Sequence, residues 1–209
     1  MIAVRVNGVE SGLRTDGVVK VADLIELVKT VINTDHMITE IEVDGAPITD
    51  DIWNGTLHVI HDAHFDFYTN THTFYLTEQV GKSPRAVQAC YVQFRDARKT
   101  FQGGDTQGGN QKLLQATDTL KAFFDWYGVL TEIANEAQKV QMSLEPALSD
   151  ILNSCKSICQ LQLYKSWWAL GENIQNELEP QLDRLEDKCR NIVGQFTRSN
   201  GFKNAISGT

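Results

Sequence analysis

The sequence predicts an α+β protein in two parts: a small domain of strands and one helix over residues 1–62, then a bundle of long antiparallel helices over residues 68–197. Three observations predict this. Short β-type runs and a brief helical pattern share the first 60 residues, whereas from about residue 68 the apolar period becomes 3.6 and stays there. At 209 residues the chain is long enough for two small domains. The charge divides as well: residues 1–62 hold four basic side chains (Arg5, Arg14, Lys20, Lys29) against eleven acidic ones, while the rest holds 15 and 16.

Residues 2–6 alternate Ile, Ala, Val, Arg, Val and end at Asn7-Gly8, a pair suited to the positive φ angles of a tight hairpin turn. Val21, Leu24, Ile25, Leu27, Val28, Val31 and Ile32 then fall at helical spacing. Ile38, Ile41 and Val43 lead into Asp44-Gly45, and Thr56-Leu57-His58-Val59-Ile60 resumes β-rich composition after Asn54-Gly55. The expected order is strand, strand, helix, strand, strand.

That order, with Gly55–Ile60 as its last strand, resembles the ubiquitin-like β-grasp fold over residues 1–62. The resemblance implies a modifier, a sulfur carrier or a protein-binding module. Modifiers and carriers end in Gly-Gly soon after the last strand; this chain continues through His61-Asp62-Ala63 and closes on Ile206-Ser207-Gly208-Thr209, so conjugation is not expected. A linker is expected at residues 63–67. Phe65–Tyr68 and His72–Tyr75 suit either strand or helix, and a helix from about Tyr68 is preferred.

Ser83-Pro84 offers a cap and a proline at the first helical position, followed by the stripe Val87, Cys90, Phe94, Ala97, Phe101. Gln102–Gly109 contains Gln-Gly-Gly twice and reads as a flexible loop, since neither a preceding strand nor Gly-Lys-Ser/Thr makes it a P-loop. A second long helix is expected from about Gln111 to Gln141, with Leu113, Ala116, Leu120, Phe123, Tyr127, Leu130, Ala134 and Ala137 on one face. After Pro146 the stripe Leu148, Leu152, Cys155, Cys159, Leu163, Trp167, Leu170, Ile174, Leu178 continues to Phe196. A straight rod of that length would reach roughly 70 Å at 1.5 Å per residue, so a bend is expected near residues 176–180, beside Pro180. Residues 198–209 read as a flexible tail. The pattern of this helical part is similar to flagellar export chaperones, bundles that sheathe a client's terminal helix.

Chemistry is sparser. His58, His61, Asp62, His64, Asp66 and His72 crowd into fifteen residues, and imidazole with carboxylate can ligate zinc or iron. Solvated histidines at a domain junction are the preferred reading; a metal site in a sensor or enzyme is the alternative, and a ubiquitin-like modifier fused to a bundle is a third. Cys90, Cys155, Cys159 and Cys189 fall on apolar stripes and read as core, because Cys-x-x-Cys is missing. The helical part has no histidine after His72 and so lacks the Glu-x-x-His spacing of di-iron bundles. Glu177-x-Glu179 and Glu186-Asp187 read as solvated faces.

Phe123-Phe124 and Trp167-Trp168 place adjacent rings about 100° apart, so one of each pair flanks the core. Phe124, Trp126 and Trp168 are therefore the candidates for a partner-binding patch. The expected function is a non-enzymatic adaptor, chaperone-like or assembly protein, binding a partner helix or itself, with no cofactor. An acidic first part and a neutral remainder do not suit nucleic acid. With no secretory lead, no membrane-spanning apolar run and few cysteines, a reduced cytoplasmic protein is expected.

Overall fold

A computed structural model describes residues 2–57 and 63–206, with side chains described through Arg198. It is α+β: a five-stranded mixed sheet followed by a mostly helical remainder. The chain divides into two compact units, residues 1–75 and 76–209.

In the first unit, β1 (Ala3–Val6) turns at Asn7-Gly8 into β2 (Val9–Glu10), α1 (Val21–Lys29) follows, then β3 (His36–Val43), β4 (Ala46–Pro47), the short helix α2 (Asp50–Asn54) and β5 (His64–Thr71). Both turn residues have positive φ, 51° and 80°, the geometry that suits a two-residue hairpin. Asn7 also ties that turn to the sheet centre, its Nδ2 donating to Thr69 Oγ1 at 2.9 Å and its Oδ1 accepting from the Thr69 N–H at 2.8 Å. The sheet order is β2-β1-β5-β3-β4, with β1 parallel and β3 antiparallel to the central β5. Phe65 and Phe67 of β5 are fully buried against Val21, Leu24 and Val28 of α1.

Two expectations are corrected here. Residues 63–67 are not a linker and no helix starts at Tyr68, because Phe65, Phe67 and Thr69 alternate inward on a strand that runs to Thr71. Among the described residues that strand is the centre of the sheet; Leu57 is buried outside any strand, and most of the expected last strand falls on His58–Asp62, which lie outside the described residues. A bulge at Thr39 shifts the β3–β5 register, so that Ile38 faces Thr69 while Ile41 faces Phe67. Ile38 and Ile41, three apart, therefore share the face toward α1.

The second unit contains most of α3 (His72–Val80), then α4 (Ser83–Gln102), α5 (Thr106–Ile133), α6 (Glu136–Met142), α7 (Ala147–Leu163), α8 (Trp167–Asn173), a π-helical turn (Ile174–Leu178) and α9 (Glu179–Ile206). The stripe Val87, Cys90, Phe94, Ala97, Phe101 is buried as expected. Ser83 does not cap α4; its hydroxyl donates to the Val80 carbonyl at 2.7 Å.

The loop between α4 and α5 is shorter than expected. Asp105 caps α5 by accepting from the Gly108 N–H at 2.9 Å, so the second Gln-Gly-Gly lies in the first turns of the helix. Gly109 there meets the Phe101 ring so closely that a Cβ would lie 2.7 Å from it, and glycine is what admits the contact. At its other end α5 stops at Ile133, because Asn135 and Gln138 form a capping box that starts α6 afresh. Ala137 is consequently exposed.

The expected long rod breaks twice. Leu163 ends α7 in a Schellman motif: Lys165 takes φ 54°, its N–H donates to the Gln162 carbonyl, and the Ser166 N–H reaches back to Leu161. The second irregularity falls where a bend was expected, as the π-helical turn in which the Glu179 N–H bonds to Ile174, just before Pro180, which has no N–H to give. Residues 198–206 continue α9 instead of forming a tail, since the ladder runs on through Asn200-Gly201. Among the described residues no helix is long and apolar enough to cross a membrane.

Candidate interaction surfaces

On α7 the buried face is Ile151, Ser154 and Ile158. The stripe expected to be core, Leu148, Leu152, Cys155, Cys159 and Leu163, lies roughly 100° around the helix from it. Leu152 is 49% and Leu163 81% exposed, and Cys159 is exposed. The helix thus carries more apolar surface than its neighbours cover, because leucine and cysteine occupy one flank while a serine sits in the packed seam. The Schellman turn then adds Tyr164, 80% exposed, and Trp168, 75% exposed. Leu152, Cys159, Leu163, Tyr164 and Trp168 are thus all exposed on α7, the turn after it and the start of α8.

Of the three aromatic candidates, Trp168 is exposed and the other two are half-buried. Phe124 meets the Phe123 ring edge-on with centroids 5.2 Å apart, and Trp126 lies 6.1 Å from Phe123 and 6.3 Å from Tyr127. Both belong to an aromatic cluster along α5. The neighbour of Trp168, Trp167, stacks on Phe101 at 5.6 Å with the rings 6° from parallel. The 100° offset separates the two tryptophans as the sequence suggests.

Among the described residues, the structure does not bring His64 and His72 together. His64 and His72 stand eight residues apart along and just beyond β5, about 26 Å at strand spacing. His64 Nδ1 lies 3.6 Å from Asp44 Oδ1, and His72 Nδ1 faces the Asp35 carbonyl at 3.2 Å. His58, His61 and Asp62 lie outside the described residues. Among the described residues no group of three or more His, Cys, Asp or Glu side chains could hold a metal ion.

Cys90 and Cys189 are buried as expected, Cys155 is half-buried, and Cys159 is exposed because it lies on the uncovered flank of α7. Burial pushes the thiols of Cys90, Cys155 and Cys189 up to about 11. A disulfide-exchange reagent at pH 8 is therefore expected to label Cys159 quickly, half-buried Cys155 more slowly, and Cys90 and Cys189 only on unfolding. The same burial links stability to pH: the folded state holds these protons more tightly than the unfolded one, so stability is retained below pH 9 and falls as pH rises towards 11. Labelling that reads one fast thiol, together with denaturant titrations at pH 8 and pH 10.5, checks both; uniform labelling or a rise in stability would contradict them.

Glu179 and Glu186 are buried, contrary to the solvated reading. Glu179 pairs with Arg98 from α4, 81 residues away in sequence, and Glu186 pairs with Arg190 one turn on. A polar cleft of about 320 Å³ lies between α7 and the π-helical turn, lined by Asp150, Ser154, Asn173, Glu177 and Gln181. The side-chain oxygens of Asn173 and Gln181 are buried with no hydrogen-bond partner among the described residues, as a wetted cleft allows.

The first unit carries a feature that sequence reasoning missed. An open groove of about 700 Å³ runs between the end of α1, the outer side of β3 and α2. Ile25, Ile32, Ile38, Ile41, Ile48 and Trp53 give it an apolar floor, and Trp53 is 47% exposed. The signal available was the concentration of isoleucine between residues 25 and 48 with a lone tryptophan after it. β4 pairs only with Glu42 and Val43, and Ile48 donates to the Ile41 carbonyl. Among the described residues, no strand pairs with the outer edge of β3 from Met37 to Glu40.

Comparison with family models, with curated proteins and with solved structures finds no match to the chain.

Proposed function

We propose that this chain is a non-enzymatic adaptor or assembly protein whose helical part binds an amphipathic helix of a partner. The observation that carries the reading is the uncovered strip of α7 and the turn after it, Leu152, Cys159, Leu163, Tyr164 and Trp168. Leu152, Cys159 and Leu163 recur at seven and four residues along one flank of α7, the spacing that accepts the ridge of another helix, and Tyr164 and Trp168 follow at its end. Large exposed aromatic and aliphatic side chains in one patch mark interfaces more often than isolated ones do. In this reading α4 to α9 form an antiparallel bundle, supported by the short turns that join successive helices. The first unit is a β-grasp module, supported by its sheet order and its parallel central pair.

Trp168→Ala tests it. Because the ring is largely exposed, unfolding free energy is expected to change by less than about 0.5 kcal/mol. Association, read as a partner retained on affinity capture from the source cells and as mass by light scattering, is expected to fall, and to fall further with Leu163→Asp. A wild-type chain that is monomeric and retains nothing, or association that both substitutions leave intact, overturns the reading. A dimer abolished by these substitutions would make the occupant a second copy.

A further inference from the structure

We infer that the groove between α1 and β3 docks an extended basic peptide of a partner, which adds to the sheet as a strand along the open edge of β3. This surface belongs to the first unit and is independent of the helical strip. Three observations converge on it.

The first is the backbone. Outward N–H and C=O groups of Met37–Glu40 have no strand partner among the described residues, and an unpaired edge is a template for another strand. Nearby groups are used: the His36 N–H donates to the Asn33 carbonyl, and the Thr39 hydroxyl donates inward to the Tyr68 carbonyl. The open stretch is therefore short and bounded, which suits a peptide more than another sheet.

The second is the floor. The bulge at Thr39 brings Ile38 onto the face of Ile41, and both open into the groove with Ile25, Ile32 and Trp53. Main-chain pairing supplies affinity in strand addition, and pockets for alternate side chains supply selectivity. Here one apolar face of the incoming strand would lie against isoleucine and tryptophan.

The third is charge, and it selects the occupant. Residues 1–75 contain twelve acidic and four basic side chains, so the whole net charge of −8 resides in this unit. Lys29, the one lysine or arginine among the described residues that line the groove, is already held by Glu26 at 2.7 Å. Glu40 and Asp35 stand exposed at the edge. Pairing the edges of two copies would bring two such acidic units together, which like-charge repulsion opposes, whereas a cationic strand is attracted.

The probe is a fluorescent peptide alternating Val or Ile with Arg over about seven residues, titrated into the full chain and read by anisotropy. Saturable binding is expected, weakened by added salt. Trp53→Ala and Glu40→Lys are each expected to weaken it about tenfold. Glu40 is exposed, so its substitution leaves the fold intact and the test decisive even if Trp53→Ala loosens α2. The same peptide with alternate backbone amides N-methylated keeps charge and side chains but cannot pair, and is expected not to bind. Trp168→Ala is expected to leave peptide binding unchanged, which separates this surface from the helical one. Absence of saturable binding, equal binding of the methylated peptide or of a Glu-for-Arg version, or indifference to Glu40→Lys overturns the inference. So does a dimer that Glu40→Lys dissociates, since the edge would then serve a second copy.

Discussion

Replacing Glu179 by alanine is expected to destabilise the helical unit by about 3–5 kcal/mol, the cost of leaving a buried charge without its partner. Arg98 Nε lies 2.7 Å from Glu179 Oε1, and the two side chains are only 13% and 9% exposed. The guanidinium is held on its other side by Gln102 and Gln175, each accepting from Nη1 at 3.1 Å, so it cannot swing into water without breaking those bonds. Arg98 and Gln102 of α4, Gln175 of the π-helical turn and Glu179 of α9 meet in this network. Urea unfolding of E179A measures the loss, and a value below 1 kcal/mol would show that Arg98 is solvated. Replacing both partners together, as Arg98→Met with Glu179→Leu, is expected to recover most of the stability, because no unpaired charge is then buried. The double-mutant cycle isolates the pair from the packing of its stems.

Cutting Phe67 back to alanine is expected to cost the sheet unit about 3–5 kcal/mol. Its ring is fully buried at the centre of the middle strand, opposite Val6 on β1 and Ile41 on β3, with the Phe65 ring 6.5 Å away. No small neighbour can collapse into the space, since the surrounding residues belong to paired strands and to the packed face of α1. Ile41 would lose its support, so peptide binding in the groove should fall with the sheet. Thermal unfolding followed by near-ultraviolet and far-ultraviolet circular dichroism checks this: an early loss confined to the sheet unit is expected, with helical signal retained. A loss under 1 kcal/mol would contradict the central place given to this ring.

Where local chemistry decides a feature, the sequence spells it out. Asn7-Gly8 and Asp44-Gly45 announce their turns because few other pairs accept positive φ, and the α4 stripe is clean because Val87, Cys90, Phe94, Ala97 and Phe101 recur by threes and fours and are all buried. Other features depend on distant partners. Glu179 looks like any surface carboxylate until Arg98 arrives from α4. On α7, two faces are apolar enough to qualify as core, and the one that packs includes Ser154 in place of a larger residue. Lys165 ends that helix at a position where glycine is the usual signal, so the break had no local mark. The groove was harder still to foresee, because the residues that floor it come from α1, β3 and α2 and become neighbours only through the sheet.

The extra residue at Thr39 has a broader consequence for how β3 is to be compared with other chains. Either side of it the odd and even positions exchange meaning: Val43 and Ile41 look inward by odd number, Ile38 and His36 by even. Any equivalence drawn across this segment by simple alternation would swap inside for outside over half its length, and a relative lacking the insertion would need its upstream residues offset by one to present the same surface.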